Sequence, residues 1–365
     1  MQITLVVRRF GPVGGMESYV FQLAQTLQQR GHAITVLCEQ ICSAVPVGIT
    51  AHALGAQRPR PRWLALWRFG QRVERWLRDH PEPGRIVHSH ERLGCHHVTT
   101  WHGSVFATVF DKPWWYRWSL RVWMHLYLEQ RELRVARQVV PVSYVTAQQI
   151  ADWYPSLLMR LTTPVLPAVQ SPAQRPERLV PEDGGVIGFV GREWQRKGLQ
   201  NAVTIVQALR QQRPRLQLCV VGVPAHEVAT VLAPLEGCVQ CIPWGEKVPY
   251  EQFDVLLHPA QSEPFGMVVT EAMAAGVPVV VSNACGAAQE VKAASGTVLD
   301  LRQPVSEWAS AVELQLLRTK PVPPYVRSWE QVALEYETLY QQMTDCRAQS
   351  HEGSGFALTN FPLTR

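Results

Sequence analysis

The chain has 365 residues, of which 46% are hydrophobic and 18% are charged, and it carries a net charge of +5 at pH 7. This length is enough for two domains, and the composition is that of an ordinary globular protein. No run approaches the roughly 20 apolar residues of a membrane span, and the first residues form no signal-peptide pattern. We therefore expect a cytoplasmic protein.

Strand-like and helix-like segments alternate from the first residue. A strand is predicted over residues 3–7, a glycine-rich loop over 11–15, and an amphipathic helix over 16–29, where apolar residues recur at helical spacing. The later predicted strands of this half are the short apolar runs 33–38, 86–88, 98–101 and 139–142. This alternation of strands and helices indicates a parallel sheet with helices on both faces.

Two stretches of the N-terminal half, residues 58–78 and 110–137, interleave basic side chains with tryptophan. Such segments suit the headgroup zone of an anionic membrane. One alternative stays open, in which both stretches are amphipathic helices whose aromatic faces belong to the core. A nucleic-acid surface is a weaker alternative, and because no nucleic-acid-binding motif supports it, we expect no nucleic-acid partner.

Five prolines between residues 164 and 185 break the alternation and mark a linker. Predicted strands and a helix then resume, with strands over 186–190, 216–221, 239–242 and 254–258 and a helix over 198–210. Two open α/β domains joined by a linker imply a ligand cleft that faces the carboxyl ends of the strands.

The predicted organisation has four parts. They are an N-terminal Rossmann-like domain over residues 1–168, a C-terminal Rossmann-like domain over 183–325, a terminal helix over 326–345, and a disordered tail over 346–365.

Two carboxylates, Glu263 and Glu271, flank a Pro-Phe-Gly turn in the second half. A helix predicted over 266–275 would point its free N–H groups and positive dipole end into the cleft, where a diphosphate could bind. The carboxylates suit hydrogen bonds from sugar and ribose hydroxyls. The two carboxylates are eight residues apart, and eight helical residues span about 12 Å. This separation predicts an extended ligand with a hydroxyl-rich group at each end.

Two cations, Arg192 and Lys197, lie on the loop after the strand predicted over 186–190. Paired cations can bind a nucleotide diphosphate and stabilise the charge that grows as its sugar departs. The chain contains no Asp-x-Asp sequence to hold a divalent ion for that task, so we expect neither a metal nor another cofactor.

These motifs resemble those of the retaining glycosyltransferases with the GT-B fold, specifically glycosyltransferase family 4. Three patterns of that family are matched, and the residues that match them are Gly14, Gly15, Arg30, Gly31 and His32; Gly191, Arg192, Lys197 and Gly198; and Glu263, Phe265, Gly266 and Glu271. The stretch 110–137 further resembles the membrane-touching region of bacterial lipopolysaccharide core glycosyltransferases.

The resemblance implies a role for each matched position. Arg192 and Lys197 would bind the donor diphosphate, Glu271 would hold the ribose hydroxyls, and Glu263 would contact the sugar near the reacting carbon. The other implied donor-binding residues, which act through backbone groups or close approach, are Gly14, Gly15, Phe265, Gly266, Met267 and Val268.

A histidine that follows a strand of the first domain often lies near the donor sugar in this family. His102 fits that place, and the implied catalytic set is His102, Arg192, Lys197 and Glu263. The competitors for the histidine position are His88, His90, His96 and His97.

The implied activity is retaining, metal-independent transfer of a sugar, from a UDP-sugar as the family-level expectation, to a membrane-associated glycolipid such as lipopolysaccharide core. The protein would then lie on the inner face of the cytoplasmic membrane. Transfer to a soluble sugar is the alternative, and a non-catalytic nucleotide-sugar-binding protein is a remote one. An oxidoreductase is disfavoured because residues 11–15 do not form the dinucleotide pattern.

Overall fold

The computed structural model describes residues 1–56, 60–111, 113–170 and 172–352 of the chain. The strands of the first half are β1 (Gln2–Val6), β2 (Arg9–Phe10), β3 (Ala33–Cys38), β4 (Gln40–Ile41), β5 (Ile49–Ala53), β6 (Ile86–Ser89), β7 (Val98–Trp101) and β8 (Gln138–Pro141). The helices between them are α1 (Gly15–Gln29), α2 (Arg62–Asp79) and α3 (Leu120–Val135), and α4 (Tyr144–Trp153) follows.

Six of these strands form one parallel sheet in the order β5-β3-β1-β6-β7-β8, while β2 and β4 pair separately. The central strands are buried along almost their whole length, as expected of a parallel sheet with helices on both faces. This order reverses direction beside β1, which is the point where doubly wound sheets bind ligands.

The second half repeats the architecture. Its strands are β9 (Val186–Val190), β10 (Gln217–Val221), β11 (Val239–Ile242), β12 (Val255–His258), β13 (Val279–Ser282) and β14 (Gly296–Leu299). Its helices are α5 (Leu199–Leu209), α6 (Ala225–Leu232), α7 (Met267–Ala274) and α8 (Val305–Leu316). The parallel order β11-β10-β9-β12-β13-β14 again reverses beside its first strand. The predicted α/β fold of two Rossmann-like units is confirmed.

The last helix, α9 (Trp329–Glu352), returns to the first half and packs against α1. Its apolar face enters the core of the N-terminal sheet through Trp329, Val332, Tyr336 and Tyr340. The helix also corrects one predicted boundary, because regular helix continues to Glu352 where a disordered tail was predicted from residue 346. The remainder of that predicted tail, 353–365, lies outside the described residues.

Candidate active site

A cleft of about 1400 Å³ lies between the two sheets, at the loops that follow the carboxyl ends of their strands. All of the site residues predicted from the sequence line this one cleft. They are Gly14, Gly15, His102, Arg192, Lys197, Glu263, Phe265, Gly266, Met267, Val268 and Glu271. The structure therefore brings the predicted set together, whereas the role of each residue stays a prediction.

Glu263 is the centre of a charge cluster in this cleft. Its Oε2 atom lies 3.0 Å from Lys197 Nζ and 3.3 Å from a guanidinium nitrogen of Arg196. Arg196 also donates to the Ser262 carbonyl, which fixes its guanidinium beside the carboxylate. Sequence reasoning passed over Arg196, although its place next to Lys197 was a usable signal. Arg196 is also paired with Glu193 at 2.6 Å. Arg192 lies over the Trp244 ring and makes no ion pair among the described residues, so its charge is available to an anionic ligand in the cleft.

The loop that carries these cations depends on two glycines. Gly191 has a φ of +149°, and a Cβ atom there would lie 2.1 Å from Lys197 Cδ. Gly198 precedes α5 with a φ of +82°, and its Cβ atom would lie 2.0 Å from the Pro259 carbonyl oxygen. The positive φ favours glycine at both positions, and the contact with the Pro259 backbone excludes a side chain at Gly198.

The second carboxylate lies on α7. Gly266 precedes this helix with a φ of +94°, and a Cβ atom there would lie 2.6 Å from Cys285 Sγ. The first N–H groups of α7, including those of Met267 and Val268, have no intrahelical acceptor because of their position, and both residues line the cleft. An anion in the cleft can accept hydrogen bonds from such groups.

Glu271 accepts a hydrogen bond from Tyr250, whose hydroxyl lies 2.5 Å from Glu271 Oε2. Burial raises the pKa of Glu271, while the Tyr250 hydrogen bond and the charge of Lys197 lower it. Tyr250 is itself buried and does not line the cleft, so it contacts the carboxylate from the interior of the protein. Sequence reasoning missed Tyr250, because its 21-residue separation from Glu271 matches no local pattern.

His102 follows β7 and lines the cleft beside Tyr19, whose ring centroid lies 5.0 Å away in an edge arrangement. Its Nε2 atom lies 2.9 Å from His90 Nδ1. Burial lowers the pKa of His102 to about 3, so the ring is neutral at physiological pH. A neutral ring can exchange hydrogen bonds with a sugar but supplies no positive charge.

Three of the four competing histidines do not line the cleft. His88 is bound on both ring nitrogens, at 2.7 Å by Tyr340 and at 2.7 Å by Thr100. His97 Nδ1 accepts the N–H of Val87. His96 is buried and does not line the cleft. Among the competitors, only His90 lines the cleft together with His102.

Contacts between the halves join the cleft walls. The Ser143 hydroxyl, at the start of α4, donates to the Pro264 carbonyl at 2.5 Å, and the Thr146 hydroxyl reaches the same oxygen at 3.2 Å. Ser104 and Ser262 hydroxyls lie 3.0 Å apart across the cleft. These hydrogen bonds tie the Glu263 loop to the first half, so a change in the separation of the halves must break them.

The N-terminal wall of the cleft is rich in arginine. Arg8 pairs with Glu39 at 2.6 Å, and Arg9 pairs with Glu17. Arg62, the first residue of α2, also lines the cleft but makes no hydrogen bond or ion pair within the described residues. One cation of this wall is therefore available to an anionic ligand.

Much of the aromatic stretch at 110–137 is exposed. Seven side chains that are each more than half exposed form what we call the aromatic surface: Trp114, Trp115, Tyr116, Trp118, Leu120, Trp123 and Tyr127. The alternative interpretation, in which the aromatic side chains belong to the core, is therefore wrong for these seven side chains. In the first stretch, α2 buries Leu66, Phe69 and Val73, whereas Trp67 is 38% exposed and Trp63 and Trp76 are half-buried. Residues 58, 59 and 112 of the two stretches lie outside the described residues.

Two negative findings concern the described part of the chain alone. No helix there is long and apolar enough to cross a bilayer. No group of three or more His, Cys, Asp or Glu side chains there is arranged to hold a metal ion.

Two family profiles match the chain. The profile described as Glycosyltransferase Family 4 matches residues 13–157, and the profile described as Glycosyl transferases group 1 matches residues 170–318. The first covers the Gly14–Gly15 loop and His102, and the second covers Arg192, Lys197 and both carboxylates. Between them the two matches include every predicted site residue.

Individual relatives match over most of their length. The D-inositol 3-phosphate glycosyltransferase of Stackebrandtia nassauensis is 28% identical over 359 residues, which are 83% of this chain and 79% of that protein. The lipopolysaccharide glucosyltransferase WaaG of Escherichia coli K12 is 24% identical over 328 residues, which are 82% and 85% of the two chains.

Solved structures share the fold. The crystal structure of WaaG aligns with a TM-score of 0.73 at 18% identity and covers 94% of this chain and 99% of its own. The structure of Anabaena Alr3699/HepE in complex with UDP-glucose aligns with a TM-score of 0.65 at 16% identity and covers 96% and 100%.

Proposed function

We propose, on the premise that the chain belongs to the group 1 glycosyltransferases, that it transfers a sugar from a UDP-sugar to a membrane-associated glycolipid. Membership of the group 1 glycosyltransferases, the GT-B fold and the glycosyltransferase class are confirmed. The donor, the acceptor, the stereochemistry and the absence of a metal are the proposal.

The observation that carries the donor assignment is the charge pattern along one wall of the cleft. Arg192, Arg196 and Lys197 line the cleft together with the first residues of α7, while Glu271 provides a hydroxyl-binding group farther along that helix. A nucleoside diphosphate sugar has the complementary order of ribose, diphosphate and sugar. HepE, which shares the fold, has been crystallised with UDP-glucose, and this supports UDP as the nucleotide.

The proposed mechanism needs no metal, because the cations supply the leaving-group stabilisation. The bond between the anomeric carbon and the phosphate oxygen breaks, and the acceptor oxygen forms a new bond on the same face. The acceptor hydroxyl gives its proton to the departing phosphate oxygen. Glu263, already paired with Lys197, orients the sugar and does not attack it.

The donor proposal is tested by a thermal-shift panel of UDP-, GDP-, ADP- and TDP-sugars, in EDTA and with added magnesium. We expect stabilisation by UDP-sugars alone, of equal size in both buffers, since a ligand that binds only the folded state raises its stability. Equal stabilisation by all four nucleotides would contradict the UDP assignment. Stabilisation that requires magnesium would contradict the metal-free site.

The acceptor proposal rests on the aromatic surface. Exposed tryptophan and tyrosine beside arginine fit the interface of an anionic bilayer, where the rings lie at headgroup depth. The relative WaaG is named for lipopolysaccharide, a membrane glycolipid. A protein held at the inner face of the cytoplasmic membrane by this surface would present its N-terminal cleft wall to such an acceptor.

Vesicle sedimentation tests this surface. Replacing Trp114, Trp115 and Trp118 by serine together should reduce binding to vesicles that contain phosphatidylglycerol and leave UDP binding unchanged. A matched control replaces three exposed apolar residues of the second half, namely Leu314, Leu317 and Val326. Equal binding by both triple variants would contradict a membrane role for the aromatic surface.

A soluble, anionic acceptor is the second candidate. Arg62 lines the cleft and makes no hydrogen bond or close ion pair among the described residues, although its charge acts on the buried Glu91. The relative from Stackebrandtia nassauensis is named for D-inositol 3-phosphate. The two candidates separate in a transfer assay with a labelled UDP-sugar. Label that enters D-inositol 3-phosphate but not a membrane extract would replace the glycolipid proposal with this one.

A further inference from the structure

Two neutral histidines meet at the floor of the cleft. The 2.9 Å between His90 Nδ1 and His102 Nε2 is a hydrogen-bond distance. Burial holds the pKa of both rings well below the ordinary value for histidine, so neither ring carries a second proton at neutral pH. A hydrogen bond between two neutral rings requires that one of the facing nitrogens donates and the other accepts.

The surroundings of the other ring nitrogen of His90, Nε2, indicate which of the two facing nitrogens donates. His90 is only 4% exposed, and its Nε2 atom has no hydrogen-bond partner within the described residues. A proton on Nε2 would therefore be a buried N–H without an acceptor, which proteins avoid more strictly than an unused lone pair. The favourable arrangement has the proton on His90 Nδ1, which donates to His102 Nε2.

We propose that His90 is a positioning residue, which holds His102 in the tautomer with its proton on Nδ1. Because His102 Nε2 then accepts from His90, the single proton of His102 must lie on the other nitrogen. His102 Nδ1 has no partner among the described residues, so its N–H is available to an oxygen atom of a ligand in the cleft. That the ligand is a nucleotide-sugar rests on the proposed function.

The neighbours of His90 keep its ring in place. The His88 ring lies against it with centroids 4.3 Å apart. His88 is in turn bound at 2.7 Å by Tyr340 of α9 and at 2.7 Å by Thr100 of β7. The pair that faces the cleft is thus supported by a fully hydrogen-bonded ring behind it, which is the arrangement that preorganises a functional side chain.

Nuclear magnetic resonance of the wild-type protein tests the tautomers directly. Long-range ¹H–¹⁵N correlation spectra of ¹⁵N-histidine-labelled protein distinguish a protonated ring nitrogen from a bare one, and His90→Gln and His102→Gln variants assign the signals. We expect His90 and His102 both protonated on Nδ1 at pH 7.5. A proton on Nε2 of His102 would overturn the inference, whether or not the protein transfers sugar.

Two substitutions at position 90 test the consequence for turnover. The amide N–H of His90→Asn lies where Nδ1–H was, whereas that of His90→Gln lies near the former Nε2. Since one neutral hydrogen bond is worth about 0.5–1.5 kcal/mol, we expect kcat/KM about two- to twelvefold lower in His90→Gln and near the wild-type value in His90→Asn. His96→Gln, at a buried histidine outside the cleft, is the packing control.

Equal losses in the Asn and Gln variants would overturn the positioning role, because a packing defect does not distinguish the two amides. Absence of transfer by the wild-type protein with every UDP-sugar would refute the proposed function instead. The tautomer spectra would still decide the inference in that case.

Discussion

Tyr250→Phe should weaken nucleotide binding without touching the nucleotide. The substitution removes one hydroxyl, which donates to Glu271 at 2.5 Å, and keeps the buried ring. A hydrogen bond to a charged group contributes about 1.5–3 kcal/mol, so a complete loss would weaken UDP binding on the order of tenfold to a hundredfold. The measured loss should lie at the lower end, because the ribose hydroxyls still donate to the same carboxylate.

The pH dependence makes this prediction specific. The Tyr250 hydrogen bond lowers the pKa of Glu271 against the effect of burial, so its removal raises that pKa further. A protonated Glu271 accepts fewer hydrogen bonds from ribose, and the variant should therefore lose more affinity at pH 6 than at pH 8. Isothermal titration calorimetry with UDP at both pH values measures this, with Tyr127→Phe at an exposed tyrosine as control.

Unchanged affinity at both pH values would refute the role of Tyr250 and Glu271 in ribose binding. A larger loss at pH 8 than at pH 6 would refute the electrostatic reasoning, because it would mean that the hydroxyl stabilises the protonated form of the carboxyl group.

Three other changes have expected outcomes. Burial raises the pKa of Glu132 from an ordinary value of 4.5 to about 8. Between about pH 4.5 and 8 this carboxyl group is therefore ionised in the unfolded state but protonated in the folded state. The free energy of unfolding consequently falls as the pH rises through this range. Glu132→Gln should therefore raise the melting temperature more at pH 9 than at pH 5, and an equal effect at both would contradict this. Gly198→Ala, whose Cβ atom would meet the Pro259 carbonyl, should cost at least about 1–3 kcal/mol in urea unfolding, whereas Gly103→Ala meets no atom within 4 Å and should cost little. Lys197→Ala should lower kcat about 10²–10³-fold in a radiolabelled transfer assay, as loss of one charge-stabilising donor does elsewhere, and a normal rate would exclude Lys197 from leaving-group stabilisation.

The sequence predicted the buried strands best. β3, β7 and β9 are largely buried and have the predicted bounds, and the half-exposed edge strand β11 has them too. Two other edge strands, β5 and β14, were not predicted; both are half-exposed and mix polar with apolar residues, so neither forms an apolar run. A short edge strand has no apolar period of its own and forms because a neighbouring strand offers it hydrogen bonds.

In the candidate site, too, residues in short sequence motifs were predicted, whereas residues that contact them from other elements were not. Glu263, Glu271, Arg192 and Lys197 lie in short motifs, and the sequence identified them all. Residues that act on those side chains from elsewhere, such as Tyr250, carry no motif. Their positions are set by packing between elements, which a single sequence does not reveal.

The return of α9 to the first half has a consequence for synthesis on the ribosome. Domains generally fold as units and N-terminal first as the chain emerges. Here the N-terminal sheet receives Val332, Tyr336 and Tyr340 from a helix that is translated after the whole second half. The N-terminal half is therefore synthesised first but completes its core last. Until residue 340 has left the exit tunnel, the face of α1 that binds α9 stays uncovered.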